Sequence, residues 1–404
     1  MYGIIRNRAS AVACALTVAA LSACGRPATS ASPSGTTAEI TARDLRLRLT
    51  AFADDSMMGR EAGTIWNAKA AGWVADQFRR YGLQAAGENN TYFQTVPDIR
   101  PSDATTTRAD ARNVIAILRG SDRALANEYV AITAHNDHIG FTQHPLDHDS
   151  VRATNIVTRP LGADSPPRAP TADEAVRIHA MIDSLHKLHG GARLDSIRNG
   201  ADDDGSGTVA LIELAEAFAK GGVKPRRSIL FVSHTAEEKG LRGSAWYTDH
   251  STVPMDSIVA EIDVDMIGRG AATDIAAGGP TYLEVVGLRR LSTEFGDWVE
   301  AVNAREQLPF VFNYEYDAPG HPQQYYCRAD HYSYARYGVP SVSLSRGSHM
   351  DYHQLTDEPQ YIDYPDYAGL TQLVFDAALF VASADHRPAL SVTKPSDPHV
   401  PCRQ

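Results

Sequence analysis

Cysteine is scarce in this chain. The 404 residues hold four, two of them within the first 24 positions. The remaining pair, Cys327 and Cys402, does not form a CxxC-type motif, which argues against a thiolate metal site built from paired cysteines. Excess basic charge is also missing. Lys and Arg number 38 against 49 Asp and Glu, and the net charge is −11. That balance argues against nucleic acid as a partner, because binding phosphates takes a basic face. Past residue 24 no apolar run is long enough to span a bilayer. Internal repeats and long charge blocks are absent too. Hydrophobic content of 43% and charged content of 22% are ordinary for a globular chain able to bury one large core or two smaller ones.

The N-terminus has its own logic. Arg6 and Arg8 precede a small-residue apolar stretch from Ala9 to Leu21, and Leu21-Ser22-Ala23-Cys24 follows. This is the layout of a secretory signal over residues 1–24. Its ending resembles a bacterial lipobox, in which the cysteine is lipidated and becomes the first residue. Residues 25–38, rich in Ser, Thr, Pro and Ala, read as a flexible tether. The expected location is therefore outside the cytoplasm, as an outer-membrane lipoprotein facing the periplasm or the cell surface. Membrane contact is expected only through a lipid on Cys24. In an exported protein Cys327 and Cys402 can pair, and pairing is the expectation; their Cα separation is not legible in sequence.

What the chain does have is concentrated acid. Asp202, Asp203 and Asp204 stand side by side between glycines, in Asn199-Gly200-Ala201-Asp202-Asp203-Asp204-Gly205-Ser206-Gly207. Adjacent carboxylates repel, and holding them together is costly unless a cation neutralises them. Four other clusters can share that cation: Ala134-His135-Asn136-Asp137-His138, Ala236-Glu237-Glu238-Lys239-Gly240, Asp263-Val264-Asp265-Met266-Ile267-Gly268 and Asp351-Tyr352-His353. Nitrogen and oxygen donors of this kind suit zinc. Each cluster alone has a duller reading as a helix cap, a solvated pair or a strand-end acid. The five together do not.

The pattern places them. Apolar runs at 113–118, 129–134, 228–233, 258–264 and 339–344 predict strands. Helical periodicity predicts helices over 65–81, 208–219 and 364–381. Strands alternating with helices predict an α/β fold, a single domain over residues 39–404 with a mostly parallel central sheet flanked by helices. Most of the clusters follow directly on a strand, at the edge where open α/β sheets carry their sites. Residues from about 140 to 198 separate the first two clusters. They hold a Pro-rich part and a helical run from Thr171 to Leu188, and read as an insertion packed over the rim of the site.

These motifs, in this order, resemble the M28 metallopeptidases, co-catalytic zinc aminopeptidases. The resemblance begins at Asp55-Ser56-Met57-Met58-Gly59-Arg60-Glu61-Ala62-Gly63, runs through Ala111-Arg112-Asn113-Val114 and the five clusters, and ends at Tyr352-His353-Gln354-Leu355-Thr356-Asp357. It implies the zinc-exopeptidase fold and two zinc ions per chain. His135 and Asp265 would complete the first ion, Glu238 and His353 the second, and Asp203 would bridge both. Glu237 would be the general base toward the bridging water. Asp137 would orient the His135 imidazole, and Tyr352 would polarise the scissile carbonyl. Asp330 and His331 would stand near the site. His138 and His349 receive no ligand role. The implied activity is hydrolysis of the N-terminal peptide bond of peptide substrates. The alternatives are a glutaminyl cyclase-like acyltransferase with one zinc, or a carboxypeptidase of the same fold. The aromatic-rich stretch from Phe310 to Cys327 reads equally as a lining for the substrate cleft and as core. The preferred N-terminal residue and the oligomeric state are not legible.

Overall fold

The computed structural model describes residues 35–307 and 309–404. The expected signal segment, Cys24 and the first part of the tether lie outside the described residues. Helices α1 (Ala42–Phe52) and α2 (Ile65–Tyr81) come first, then strands β1 (Gln84–Ala85), β2 (Phe93–Val96), β3 (Ala111–Leu118) and β4 (Tyr129–His135). After β4 come β5 (Phe141–Asp147), α3 (His148–Thr158), α4 (Ala172–His189) and β6 (Leu194–Ile197). The chain continues through α5 (Gly207–Lys220), β7 (Ser228–His234), α6 (Arg242–Asp249), β8 (Ile258–Val264), β9 (Tyr282–Val286) and α7 (Thr293–Asn303). It closes with β10 (Val311–Asn313), α8 (His331–Ala335), β11 (Ser341–Ser345) and α9 (Tyr364–Ser383).

Nine strands form one sheet in the order β1-β3-β7-β4-β8-β11-β9-β10, with β2 also on β3. The four central strands, β7, β4, β8 and β11, run parallel. Antiparallel pairing is confined to the flanks, where β1, β2 and β7 pair with β3 and β9 pairs with β11. Burial on both faces explains the unbroken apolar character of Ile229 to Val232 and Val130 to Ile132. One face packs under α1, α2, α5 and α9, through Leu49, Phe78, Leu211 and Leu373 among others. The other is covered by a smaller cluster that includes Leu230, Tyr247, Ile258 and Tyr334.

Helix α5 is apolar nearly all round, and Gly207 to Phe218 are all buried. Its polar exceptions meet a partner: Glu213 takes Arg48 Nε at 2.7 Å, and Glu216 takes another nitrogen of the same guanidinium. Helix α2 starts on the Thr64 hydroxyl, which accepts from Asn67 N–H, and stops at Gly82 with φ of 76°.

The segment from 140 to 198 forms its own unit. Strands β5 and β6 pair as a separate two-stranded sheet, and α3 packs against α4. Thr171 and Glu174 form a capping box at the start of α4. Contact with the site region comes through Arg152, which pairs with Asp351, and Asp164, which takes Arg328 at 3.0 Å. The disulfide expected of the two body cysteines is present, with Cys327 and Cys402 Cα atoms 5.8 Å apart. No helix of the described residues is long and apolar enough to cross a membrane.

Candidate metal centre

Adjacency of β7, β4 and β8 assembles the site. His135 is the last residue of β4 and sits in register with His234, the last residue of β7. Three and four residues past the end of β7 come Glu237 and Glu238; Asp265 directly follows β8. Three sequence clusters more than 25 residues apart thus meet at one sheet edge, as the parallel order requires. The Asp202-Asp203-Asp204 turn arrives above them from the start of α5, and His353 from the loop after β11.

The three adjacent acids do not share one job. Asp204 turns inward and accepts the backbone N–H of His135 at 2.9 Å, of Gly207 at 2.9 Å and of Met266 at 3.2 Å. Asp202 accepts Gly268 N–H at 2.6 Å and faces His349 Nε2 at 3.1 Å. Both carboxylates are satisfied by the chain, which offsets their burial. Asp203 is the one left pointing into the cleft. Asp357 steadies the turn by accepting the N–H groups of Asp202 and Asp203.

Around Asp203 the donors form two groups. His135, Asp203 and Asp265 each offer an atom within 4.8 Å of the others, and so do His138, Asp203, Glu238 and His353. His135 Nε2 lies 3.2 Å from Asp203 Oδ1 and 3.7 Å from Asp265 Oδ1. His353 Nε2 lies 2.9 Å from Asp203 Oδ2 and 3.0 Å from Glu238 Oε2. His135 Nε2, Asp203 Oδ2 and Asp265 Oδ1 are buried yet make no hydrogen bond. Converging lone-pair donors without hydrogen-bond partners fit a cation, and carboxylate and imidazole together fit zinc. Two groups hinged on a carboxylate, which alone among these side chains has two equivalent oxygens, fit a pair of ions.

Glu237 stands apart from both groups. Its carboxylate lies 3.9 Å from His135 Nε2, and its side chain keeps 14% exposure. Burial pushes its carboxyl well above the usual range, outweighing His135. Asp137 touches two of these residues. The His135 ring meets the backbone carbonyl of Asp137, with Nδ1 3.2 Å from that oxygen and 3.7 Å from the carboxylate. The carboxylate itself accepts the N–H of Glu237 at 3.1 Å. One residue therefore orients both His135 and Glu237. Tyr352 lines the cleft, its hydroxyl 3.4 Å from Arg328. Burial, with Asp203 and Glu238 nearby, holds its phenol well above the usual value.

His138 is a correction. No ligand role falls to it in the sequence, yet its Nδ1 is 2.8 Å from Glu238 Oε1 and 3.5 Å from Asp203 Oδ2. The signal was its place one residue beyond Asp137, on the same strand-end loop as His135. The Asp55–Gly63 segment is the other discovery. Fully buried Arg60 donates to the carbonyls of Asn199 at 2.5 Å, Gly200 at 2.8 Å and Asn136 at 3.3 Å. It thereby clamps the approaches to the acidic turn and to His135. Burial brings its pKa down to about 10, against the pull of Asp357, Asp203 and other carboxylates. Gly200, at φ 55°, leaves no room for a Cβ: one would lie 2.5 Å from the His138 ring. Ala236, Met266 and His353 also hold positive φ, at 58°, 56° and 58°. Backbone of this kind persists where surrounding structure over-determines it, commonly at functional sites.

A third group, Asp147, Asp149 and His186, lies in the 140–198 segment. There Asp149 already pairs with Arg193 at 2.6 Å, and Asp147 caps α3 through Ser150 N–H. The chain's own donors satisfy those carboxylates.

The Peptidase family M28 model matches residues 113–378. The chain belongs to peptidase family M28. That span contains every donor named above, from His135 to His353. Among characterised relatives, the M28 chain is 39% identical over 101 residues to the aminopeptidase NAALADL1 of Mus musculus, covering 24% of this chain and 14% of that one. The matched length is thus well under two thirds of the relative. Among solved structures it is similar to the LapA aminopeptidase of Legionella pneumophila, with TM-score 0.52, 18% identity, and coverage of 85% of this chain and 73% of that one. It is equally similar to the glutaminyl cyclase of Bacteroides thetaiotaomicron, with TM-score 0.54, 16% identity, and coverage of 85% and 99%. At such identities these two likenesses establish the M28 chain's fold, an α/β sheet with a central parallel portion.

Proposed function

We propose that this chain is a zinc-dependent aminopeptidase that removes the N-terminal residue of peptides with two zinc ions. The observation that carries the reading is the pair of donor groups sharing Asp203. His135, Asp203 and Asp265 would hold one ion; Asp203, Glu238 and His353, joined by His138, would hold the other. When bound, such a pair supplies Lewis-acid polarisation of the carbonyl and makes water acidic enough to lose a proton near neutral pH. The chain's residues do the rest. Glu237, close to the donors but in neither group, takes the proton from the attacking water and returns it to the leaving amine. Asp137 holds Glu237 and His135 in mutual register. The Tyr352 hydroxyl donates to the oxygen that gains charge.

Zinc content and two assays test this. The zinc-loaded protein should hold two ions per chain, release the chromogen from aminoacyl 4-nitroanilides, and leave N-acetylated peptides intact. One ion with cyclisation of N-terminal glutamine would favour the cyclase alternative, and cleavage of N-blocked peptides from the other end would favour a carboxypeptidase. Export and a lipid on Cys24 belong to the same proposal, on the strength of Leu21-Ser22-Ala23-Cys24.

A further inference from the structure

The cleft that holds Asp203, Glu237 and Asp265 extends into a cavity between the ends of β9 and β11. Much of the wall away from the donors is polar: Glu284, Ser343, Ser345, Ser348, Tyr325 and Arg328. The aromatic stretch before Cys327 contributes only Tyr325 of its rings. Phe310 is spent in the main core and Tyr326 in a satellite cluster.

Two side chains in this wall carry charge, and they differ in their partners. Arg328 is neutralised by Asp164, which the 140–198 segment delivers at 3.0 Å; Asp164 also accepts the Ser348 hydroxyl at 2.9 Å. Glu284 is 4% exposed and accepts one hydrogen bond, from Tyr282 hydroxyl at 2.7 Å. Among the described residues, no Lys, Arg or His lies within ion-pair distance of it. Burial, with Asp164 and Glu315 nearby, brings its carboxyl up to about 7. An apolar side chain entering this cavity would leave Glu284 dry and unpaired, which is unfavourable. An ammonium or guanidinium group would complete it with a charge-assisted hydrogen bond.

We propose that Glu284 makes this enzyme select peptides whose N-terminal side chain is cationic, lysine or arginine, by pairing with that side chain at the end of the cavity. The proposal rests on the aminopeptidase reading. With the zinc-loaded enzyme, kcat/KM for lysyl and arginyl 4-nitroanilides should exceed that for leucyl by about 10–100-fold, the worth of one hydrogen bond to a charge. Glu284→Gln keeps the Tyr282 contact and should remove most of that preference, mainly by raising KM for the lysyl and arginyl substrates, while leucyl hydrolysis holds or rises, because an apolar side chain then no longer faces a buried charge. Calorimetry should show free L-lysine binding more tightly than L-leucine to the parent and not to the variant. A parent that favours leucyl substrate, or a variant with an unchanged preference, would overturn the proposal. So would equal loss on all three substrates, since that would give Glu284 the α-amine that every N-terminus shares. Failure of the underlying reading has a different signature, release from none of the three anilides.

Discussion

Glu237 and Glu238 are neighbours in sequence with opposite duties in the proposed mechanism, and the difference is geometric. Glu238 lies 3.0 Å from His353 Nε2 and 2.8 Å from His138 Nδ1, inside a donor group, while Glu237 belongs to neither group and stands 3.9 Å from His135 Nε2. Glu237→Gln keeps size but cannot accept a proton. Zinc content should survive, with turnover falling by at least the 10²–10⁴-fold, roughly, that general-base catalysis supplies. Glu238→Gln should instead weaken zinc binding, with activity partly restored by excess metal. Metal analysis beside steady-state kinetics separates the two; the reverse pattern would exchange their roles. His138 gives a second test at this scale. His138→Ala should lower affinity for one of the two proposed ions by at least the ~10–100-fold that loss of even an outer partner costs, leaving the one proposed at His135 and Asp265 bound. Rescue of that affinity by His138→Gln would assign His138 the orienting of Glu238 in place of direct ligation.

Elements bring these residues together by order and not by proximity in the chain. The adjacency β7-β4-β8 was implied only as α/β logic in the sequence; that His135, Glu237 and Asp265 stand on three neighbouring strands is a fact of topology. Strand β9 and strand β10 escaped the periodicity altogether. Tyr282 to Val286 is short, and its Glu284 breaks the apolar run. Yet β9 pairs antiparallel with β11 and carries the charged end of the cavity. The segment bearing Tyr325 and Arg328 is held by the Cys327–Cys402 disulfide and by Gln404, whose side-chain oxygen accepts Tyr326 N–H at 2.8 Å. The bond closes a loop with a sequence separation of 75. By chain entropy, a loop of that size is worth about 4 kcal/mol. Cys402→Ser should therefore lower Tm in calorimetry and raise KM for aminoacyl anilides more than it lowers kcat, since the cavity wall loosens while the donors stay. Equal Tm for parent and variant under oxidising conditions would show that the tail is held by its other contacts alone.

At the scale of the whole molecule, two things bear on where the protein works. Net charge is −11, and no helix among the described residues can span a bilayer. The proposal of a lipid on Cys24 has a direct test. In a bacterial host, radiolabelled palmitate should enter the parent and not Cys24→Ser, which should appear in the aqueous phase on detergent partition; an unlabelled parent with a free, unmodified N-terminus would end the idea. The donor set was legible because its chemistry is unusual in one dimension: three adjacent acids, a Glu-Glu pair and strand-end histidines concentrate more lone-pair donors than ordinary packing calls for. The fold class was legible because two-sided burial leaves continuous apolar strands between amphipathic or apolar helices. His138, the clamp by Arg60 and the unpaired charge of Glu284 were not. The first two depend on which atoms meet across 60 or more residues and the third on no cation reaching the buried carboxylate, and a residue's type says nothing of the neighbour that will satisfy it. The sequence by itself determined that a cluster of metal-type donors would form at the edge of an α/β sheet. Tertiary packing decided which acids the backbone would satisfy, which would be left free for a metal, and which charge the cavity would keep for a substrate.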